Sequence, residues 1–251
     1  MRNRASTSLS LAFALALAAC GDGAADKLAR ARQELADMEL AAARVDLAHV
    51  LAEKGDDPAV LIMLADVQLR LGDGDGAATT AARLERLGQN GAEIRRIKAE
   101  AALLKGDAAT ALALVAGDQS ASAFRIRAGA FLARDDSAGA LAALRQGAAA
   151  GGDPRLLADY ARFLIDAGDL AGADRQIAAL QKARPDSLDG YLLSADVAAR
   201  RGRYEAAHAT LAKAASRYPR IPDPLLARAT TFDLQGKLDE AIKAYRKSIT
   251  F

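Results

Sequence analysis

Small and apolar residues along positions 154–251 recur at a step of 34. Ala173, Ala207 and Ala241 keep that step, Gly168, Gly202 and Gly236 keep it too, and Pro185 and Pro219 repeat it. A fixed period of this length predicts a stack of helix-turn-helix units, none of which can bury its apolar face without its neighbours. Few runs of Val, Ile or Thr alternate at period two, so strands are not expected. Extended toward the N-terminus, the frame gives units near 24–57, 58–91, 92–120, 121–153, 154–187, 188–221 and 222–251. It is set on one Ala of each second helix: Ala43, Ala77, Ala111, Ala140, Ala173, Ala207 and Ala241. The position twelve residues earlier, which played no part in the alignment, reads Ala31, Ala65, Ala99, Ala128, Ala161, Ala195 and Ala229. The turn glycines fail in two units and these alanines never do, so helix crossing rather than turn shape is expected to define the array.

The departures from the period carry their own expectations. The second helix of unit three starts near Ala108 and runs out at Gly117-Asp118, and unit four has Asp135 where the turn Gly belongs. Asp enters the left-handed backbone region more readily than most residues. Unit four ends in Gly147 and Gly151-Gly152, which reads as a loose junction. Solenoid stability sums neighbouring interfaces, so 116–121 and 147–153 are the expected places for a change of curvature or a hinge between stiffer ends. The last unit stops at Phe251 without a polar capping helix. Its apolar face is expected to meet another protomer or partner, unless the chain is a fragment of a longer array.

The framework resembles the tetratricopeptide repeat. In unit six, Tyr191, Ala195, Gly202, Tyr204, Ala207, Leu211, Ala214 and Pro219 stand at that family's aromatic, small, turn, apolar, small, large, small and proline positions. Ala195 and Ala207 let two backbones approach, Tyr204 and Leu211 fill the gaps, Gly202 ends the first helix and Pro219 stops the second. The resemblance implies an all-α fold, a right-handed α-solenoid of about seven helix-turn-helix units. It also implies a partner-binding groove lined by the first helices, at the second, fifth, ninth, twelfth and thirteenth positions of each unit. Here those positions include Asp66, Arg70, Arg96, Glu100, Arg125, Arg162, Asp166, Asp196 and Arg200, between apolar neighbours such as Ile62, Leu69, Leu132 and Ile165. Charges over an apolar floor suit a peptide or helix of complementary charge. The plainer alternative is a solvated face supported by i,i+4 pairs such as Arg96 with Glu100 and Arg162 with Asp166. Asn3 and Asn90 are the only asparagines, which disfavours the subclass that grips a terminal carboxylate with Lys and Asn.

Composition adds to this picture at the N-terminus. Met1-Arg2-Asn3-Arg4 is a short positive start, and the apolar run Leu9–Ala19 ends at Cys20. The run is too short for a permanent membrane helix and reads as a secretory signal. Leu17-Ala18-Ala19-Cys20 resembles the bacterial lipoprotein lipobox. That resemblance implies removal of 1–19, a lipid on the Cys20 thiol and an acylated new amine, whose several chains make a stable anchor. Ordinary secretion with cleavage nearby is the alternative. Residues 20–25 would be a short tether, with Asp26 a candidate cap for the first helix, and 26–251 the solenoid. Asp22 leaves the choice between inner and outer membrane open, with the array facing the periplasm. Losing Arg2 and Arg4 leaves 32 basic side chains against 32 acidic ones, and there is no Trp. A nucleic-acid partner would need a basic stripe with aromatics, and neither is evident.

Little in the chain suggests catalysis. The two histidines, His49 and His208, fall on second helices of different units, with no nucleophile or carboxylate at a recognisable spacing. Cys20 is the only cysteine, which removes disulfide and thiolate-metal readings, and no zinc ligand set or cofactor motif is present. Gly72-Asp73-Gly74-Asp75-Gly76 lacks the twelve-residue span of a calcium loop and the Lys-Ser/Thr of a phosphate loop, so it reads as a turn. The sequence therefore points to a non-enzymatic envelope lipoprotein that holds proteins or peptides at a membrane as a scaffold or assembly factor, with self-association through its last unit. It looks similar to repeat lipoproteins associated with exopolysaccharide export and protein-sorting loci. A pilotin-like or outer-membrane-assembly lipoprotein is the nearer alternative, and the repeat arm of a longer envelope enzyme is an alternative of another class.

Overall fold

Fourteen helices and no strand are found among residues 23–249, which the computed structural model describes. They form seven antiparallel pairs: α1 (Ala24–Ala36) with α2 (Leu40–Lys54), α3 (Pro58–Arg70) with α4 (Gly74–Arg86), α5 (Ala92–Leu104) with α6 (Ala108–Leu114), and α7 (Ala121–Leu132) with α8 (Ser137–Ala149). The remaining pairs are α9 (Pro154–Asp166) with α10 (Leu170–Ala183), α11 (Leu188–Arg200) with α12 (Tyr204–Arg217), and α13 (Asp223–Leu234) with α14 (Leu238–Ser248). Packing runs between consecutive helices. The first helices also touch one another in series from α3 to α13 through α5, α7, α9 and α11 and so make the inner surface. This is the α-solenoid of helix-turn-helix units that the period predicts. Residues 1–19, read above as a signal segment, and Cys20 lie outside the described residues.

The fourteen framework alanines explain the pairing. None is more than 3% exposed. A methyl group is all that fits where the two helices of a pair cross, and the larger residues flank the crossing: Leu47, Leu84, Leu144, Leu180 and Leu211 on second helices are each 1% exposed or less. Burying a leucine of this kind stabilises the fold by roughly 1.5–3 kcal/mol.

Turn shape is kept as faithfully as helix crossing, contrary to expectation. In all seven pairs the backbone N–H at the start of the second helix donates to a carbonyl five residues back. The bonds are Glu39 to Glu34, Asp73 to Gln68, Asp107 to Ala102, Asp136 to Phe131, Asp169 to Leu164, Arg203 to Ala198 and Lys237 to Phe232, at 2.8–3.0 Å. The residue before each donor has positive φ: glycine in five units, Met38 (φ 64°) in unit one and Asp135 (φ 59°) in unit four. The left-handed step costs a non-glycine residue roughly 1–2 kcal/mol, so the two exceptions keep the geometry against a local penalty. In units two to five an aspartate follows the turn residue, and Asp73, Asp107, Asp136 and Asp169 cap the second helix from there. Gly72–Gly76 is accordingly a turn and cap, with the Asp73 carboxylate accepting from the Gly76 N–H at 2.8 Å.

Two expectations need correction. Asp26 does not cap α1: Gly23 occupies that position, and Asp26 lies in the first turn, where its charge faces the positive end of the helix. Gly147 is not a sign of looseness, because it is buried and a Cβ there would lie 2.1 Å from Leu156 Cδ1 and 2.9 Å from Phe124 Cβ. Its missing side chain lets α8 close on α7 and α9. Both irregular junctions are closed by side chains. Arg127 donates to the carbonyls of Val115 and Asp118, each at 2.5 Å, and the Ser122 hydroxyl donates to Asp153, the cap of α9, at 2.8 Å. Asp118 accepts from Arg96 at 2.8 Å and from the Ser120 N–H at 2.9 Å. Burial raises the Asp118 carboxyl, but Ser120 and Arg96 together outweigh that and hold it at about 2. At the far end, Leu234, Leu238, Ile242 and Ile249 of the last pair and its following residue are exposed.

Candidate functional site

The ninth residue of each unit points to the inner surface because it follows the buried framework Ala by one position, about 100° round the first helix. From these and neighbouring positions the fold builds a continuous ladder of alternating charge. Arg70 lies 3.7 Å from Asp66, and Asp66 takes Arg155 at 3.0 Å. Arg155 also reaches Glu100 at 2.7 Å, and Glu100 pairs with Arg125. Arg125 approaches Asp159 at 3.8 Å, Asp159 takes Arg162 at 3.0 Å, and Arg162 reaches Asp189 at 3.5 Å. A shorter branch joins Asp166, Arg200 and Asp196 at 3.6 and 3.0 Å. The ladder crosses the groove, since Arg155 of α9 holds carboxylates from α3 and α5.

Its centre is drier than its ends. The side chains of Glu100 and Arg125 are each 13% exposed, whereas Arg162 is 52% and Asp166 69% exposed. Burial lowers the pKa of the Arg125 guanidinium, but Glu100 and Asp159 more than offset that. Burial pushes the Asp159 carboxyl above its usual range in spite of Arg125, Arg162 and Arg155. It pulls Arg70 below its ordinary value, because the nearby Asp66 is countered by Arg155 and Arg184. Arg70 also donates to the Met38 sulfur at 2.6 Å, a weak acceptor.

Two cavities lie along the ladder and share Arg125 and Asp159. The larger, about 1080 Å³, is bounded by Met38, Asp66, Arg155, Arg184 and Tyr218 among others. The smaller, about 630 Å³, is lined by the apolar Leu103, Leu104, Leu132 and Phe163 together with Arg162 and Asp166. Gly129 allows this packing, as a Cβ there would meet Leu103 at 2.7 Å. Together these surfaces offer alternating donors and acceptors around apolar space.

Of the nine sequence-predicted groove residues, Asp66, Arg70, Glu100, Arg125 and Arg162 belong to the ladder, and Asp166, Asp196 and Arg200 to its branch. Arg96 is engaged by Asp118 at the junction instead. The i,i+4 pairs expected between Arg96 and Glu100 and between Arg162 and Asp166 do not form, because each arginine finds a carboxylate on another turn or helix. Asp66–Arg70 and Asp196–Arg200 are the groove pairs with that spacing. Ile165 is core, at 1% exposure, and Ile62 packs against the first core cluster, so the floor is Leu69 in one cavity and Leu132 in the other. Sequence reasoning missed Arg155, Asp159 and Asp189. Arg155 and Asp189 are the second residues of their units and were open to the positional rule, but Asp159 is a sixth residue and carried no such signal. His49 is exposed, and His208 lies against Phe232 with ring centroids 4.1 Å apart, its Nε2 2.8 Å from the Gln235 amide nitrogen. No group of three His, Cys, Asp or Glu that could hold a metal occurs among the described residues, and no described helix is long and apolar enough to cross a membrane.

Comparison with known proteins agrees with the geometry. The tetratricopeptide repeat family matches residues 34–101. Among solved structures, a chain of the APC/C hetero-tetramer Cut9-Hcn1 superposes with a TM-score of 0.69 at 11% identity, covering 90% of this chain and 46% of that one. This chain thus spans less than half of that relative. A thermophilic tetratricopeptide repeat protein of Thermus thermophilus gives 0.55 at 22% identity, covering 74% of this chain and 98% of its own. A tetratricopeptide repeat protein of Parabacteroides merdae ATCC 43184 gives 0.54 at 15%, covering 92% and 93%. Likenesses at these identities show the fold alone. No curated protein matches the chain in sequence. The family match and the shared fold support a tetratricopeptide repeat protein, a class whose members are in general non-enzymatic scaffolds that bind protein partners.

Proposed function

We propose that this chain is a lipid-anchored scaffold of a bacterial cell envelope that holds a protein or peptide segment along its inner groove, with no catalysis of its own. Cys20 carries the lipid, the array stands close to the membrane facing the periplasm, and the occupant runs beside the charge ladder. The observation that carries the reading is the ladder itself. Eight side chains of alternating sign, Arg70 to Asp189, border apolar space on the surface made by the first helices. A segment of alternating charge with large apolar side chains complements such a surface in charge and shape.

The groove is tested by pull-down from envelope extracts with wild type, R162E/D166R and an outer-face control, R44E. Capture of a protein by wild type and R44E but not by R162E/D166R supports the groove, and equal capture by all three places binding elsewhere. The anchor is tested by Cys20→Ala, which releases the protein from membranes. Continued association of that variant in high salt would reject lipidation.

A further inference from the structure

One end of the ladder, Arg70, donates to Met38, which lies within a second set of ion pairs that joins units far apart in sequence. Arg217, in the last turn of α12, donates to Asp37 at 2.9 Å, and Arg220, just beyond that helix, donates to Glu39 at 3.0 Å. Asp37 and Glu39 flank Met38 in the turn between α1 and α2, so unit six is tied directly to unit one. Asp37 and Arg217 are each held for this contact. Asp37 also accepts from Gln33 at 2.6 Å, and the Arg217 guanidinium stacks 4.8 Å above the Tyr218 ring, whose hydroxyl donates to the Asp186 carbonyl at 2.5 Å. Glu39 stands where Asp73, Asp107, Asp136 and Asp169 cap their helices, yet it makes no cap and faces Arg220 instead. Met38, between the two acids, and Tyr218, between the two arginines, both line the larger cavity.

We propose that Asp37–Arg217 and Glu39–Arg220 form an electrostatic clasp that closes the solenoid across its open side and gates the larger cavity. Closed, the clasp stands beside the space above Arg70 and Arg155, with Met38 and Tyr218 of that wall between its ion pairs, and parting units one and six widens the way in. Both pairs reach solvent, with Arg220 76% and Arg217 41% exposed, so salt and competing charges weaken them readily. That suits a gate, because a permanently shut cavity would need buried apolar contact between the units. The consequence for partner entry rests on the groove reading above, but the clasp itself is measurable without any partner.

The test uses the full chain with Cys20→Ser and spin labels at Ala41→Cys and Ser216→Cys, exposed positions on α2 and α12. Double electron-electron resonance at low salt is expected to give one narrow distance. D37R/E39R should raise the population of longer distances about five-fold or more. Reversing the partners as well, with R217D/R220E, should restore the narrow distance, and salt raised to about 0.5 M should mimic D37R/E39R. Circular dichroism unchanged across the variants shows that folding is not what moved. An identical distribution in wild type and D37R/E39R overturns the clasp, and so does failure of the double reversal to restore it. A groove that binds nothing leaves this measurement standing, and an absent clasp leaves the pull-down standing.

Discussion

Seven residues after the framework alanine of each second helix, units two and five place Leu84 and Leu180, both essentially unexposed, and unit six places Ala214. Units three and four place Asp118 and Gly147 there. In the first group an apolar side chain fills the space beside the next unit. In the middle the helix has already ended or has been thinned to backbone, and the gap is closed by Arg96 on Asp118, by Arg127 on two carbonyls, and by Leu156 lying where a Gly147 side chain would be. The middle is not a worn copy of the regular units. Its first helices, α5 and α7, supply the driest pair of the ladder, Glu100 and Arg125, while the regular half supplies the exposed branch at Asp166, Asp196 and Arg200. Regularity sets the course of the solenoid, and departure from it concentrates the charge.

The largest expected effects set a lost side chain against an added one at equivalent positions. Leu180→Ala leaves a cavity in the regular half and should lower stability by about 2–5 kcal/mol. Gly147→Ala adds one methyl in the middle and should cost about 1–3 kcal/mol, although alanine is the better helix former by roughly 1 kcal/mol. Leu156→Ala should relieve most of that second cost, because Leu156 is the nearer clash. Urea denaturation of the four proteins in the Gly147–Leu156 cycle measures the coupling. A Gly147→Ala protein as stable as wild type would mean that α8 moves away freely and that the junction is loose after all.

Next in size is the contrast within the ladder. Glu100→Ala leaves Arg125, 13% exposed, without its closest carboxylate and should cost about 2–3 kcal/mol, below the full penalty of a buried pair because Asp159 remains 3.8 Å away. Arg200→Ala in the exposed branch should cost no more than about 0.5 kcal/mol. Equal losses would show that burial does not distinguish the two halves of the groove.

The sequence made the architecture legible because packing of α-helical pairs leaves a positional record: only a small residue fits at each crossing, and all fourteen alanines are buried. Turn geometry was less legible, since Met38 and Asp135 keep the left-handed step that glycine announces elsewhere. In the groove, the period shows which residues face inward but not which partners they choose. Arg155 bonds Asp66 from 89 positions away and Arg217 bonds Asp37 from 180, distances set by the course of the whole solenoid. Gly147 was misleading for a related reason, because a glycine that loosens a turn and one that admits a neighbouring helix look the same in one dimension.

A somewhat smaller effect, about 2 kcal/mol, is expected from acid at the short junction. The folded Asp118 carboxyl is held at about 2 against an ordinary 3.8, so its contribution is present above 3.8 and is lost as pH falls toward 2. Arg96→Ala should raise the Asp118 pKa, lower stability at pH 7 and converge with wild type near pH 2, read by carboxyl NMR titration and by urea midpoints against pH. Parallel curves for the two proteins would detach Arg96 from Asp118.

The smallest effect concerns a feature that the last two units lack. Units two to five follow the turn with a capping aspartate, whereas units six and seven have Arg203 and Lys237 there and make no side-chain cap. The backbone at Arg203, φ −86° and ψ 58°, already lies near that of Asp169 at −80° and 72°, so an aspartate could cap without rearrangement. Arg203→Asp should therefore satisfy an N–H in the first turn of α12, place a negative charge at its positive end, and stabilise the array by about 0.5–1 kcal/mol. The same change at Asp169, to Arg, should lose a similar amount. If the two substitutions do not move the urea midpoint in opposite directions, the caps of units two to five are incidental, and the contrast between the middle and the regular half reduces to the packing around Gly147 and the charges around Glu100.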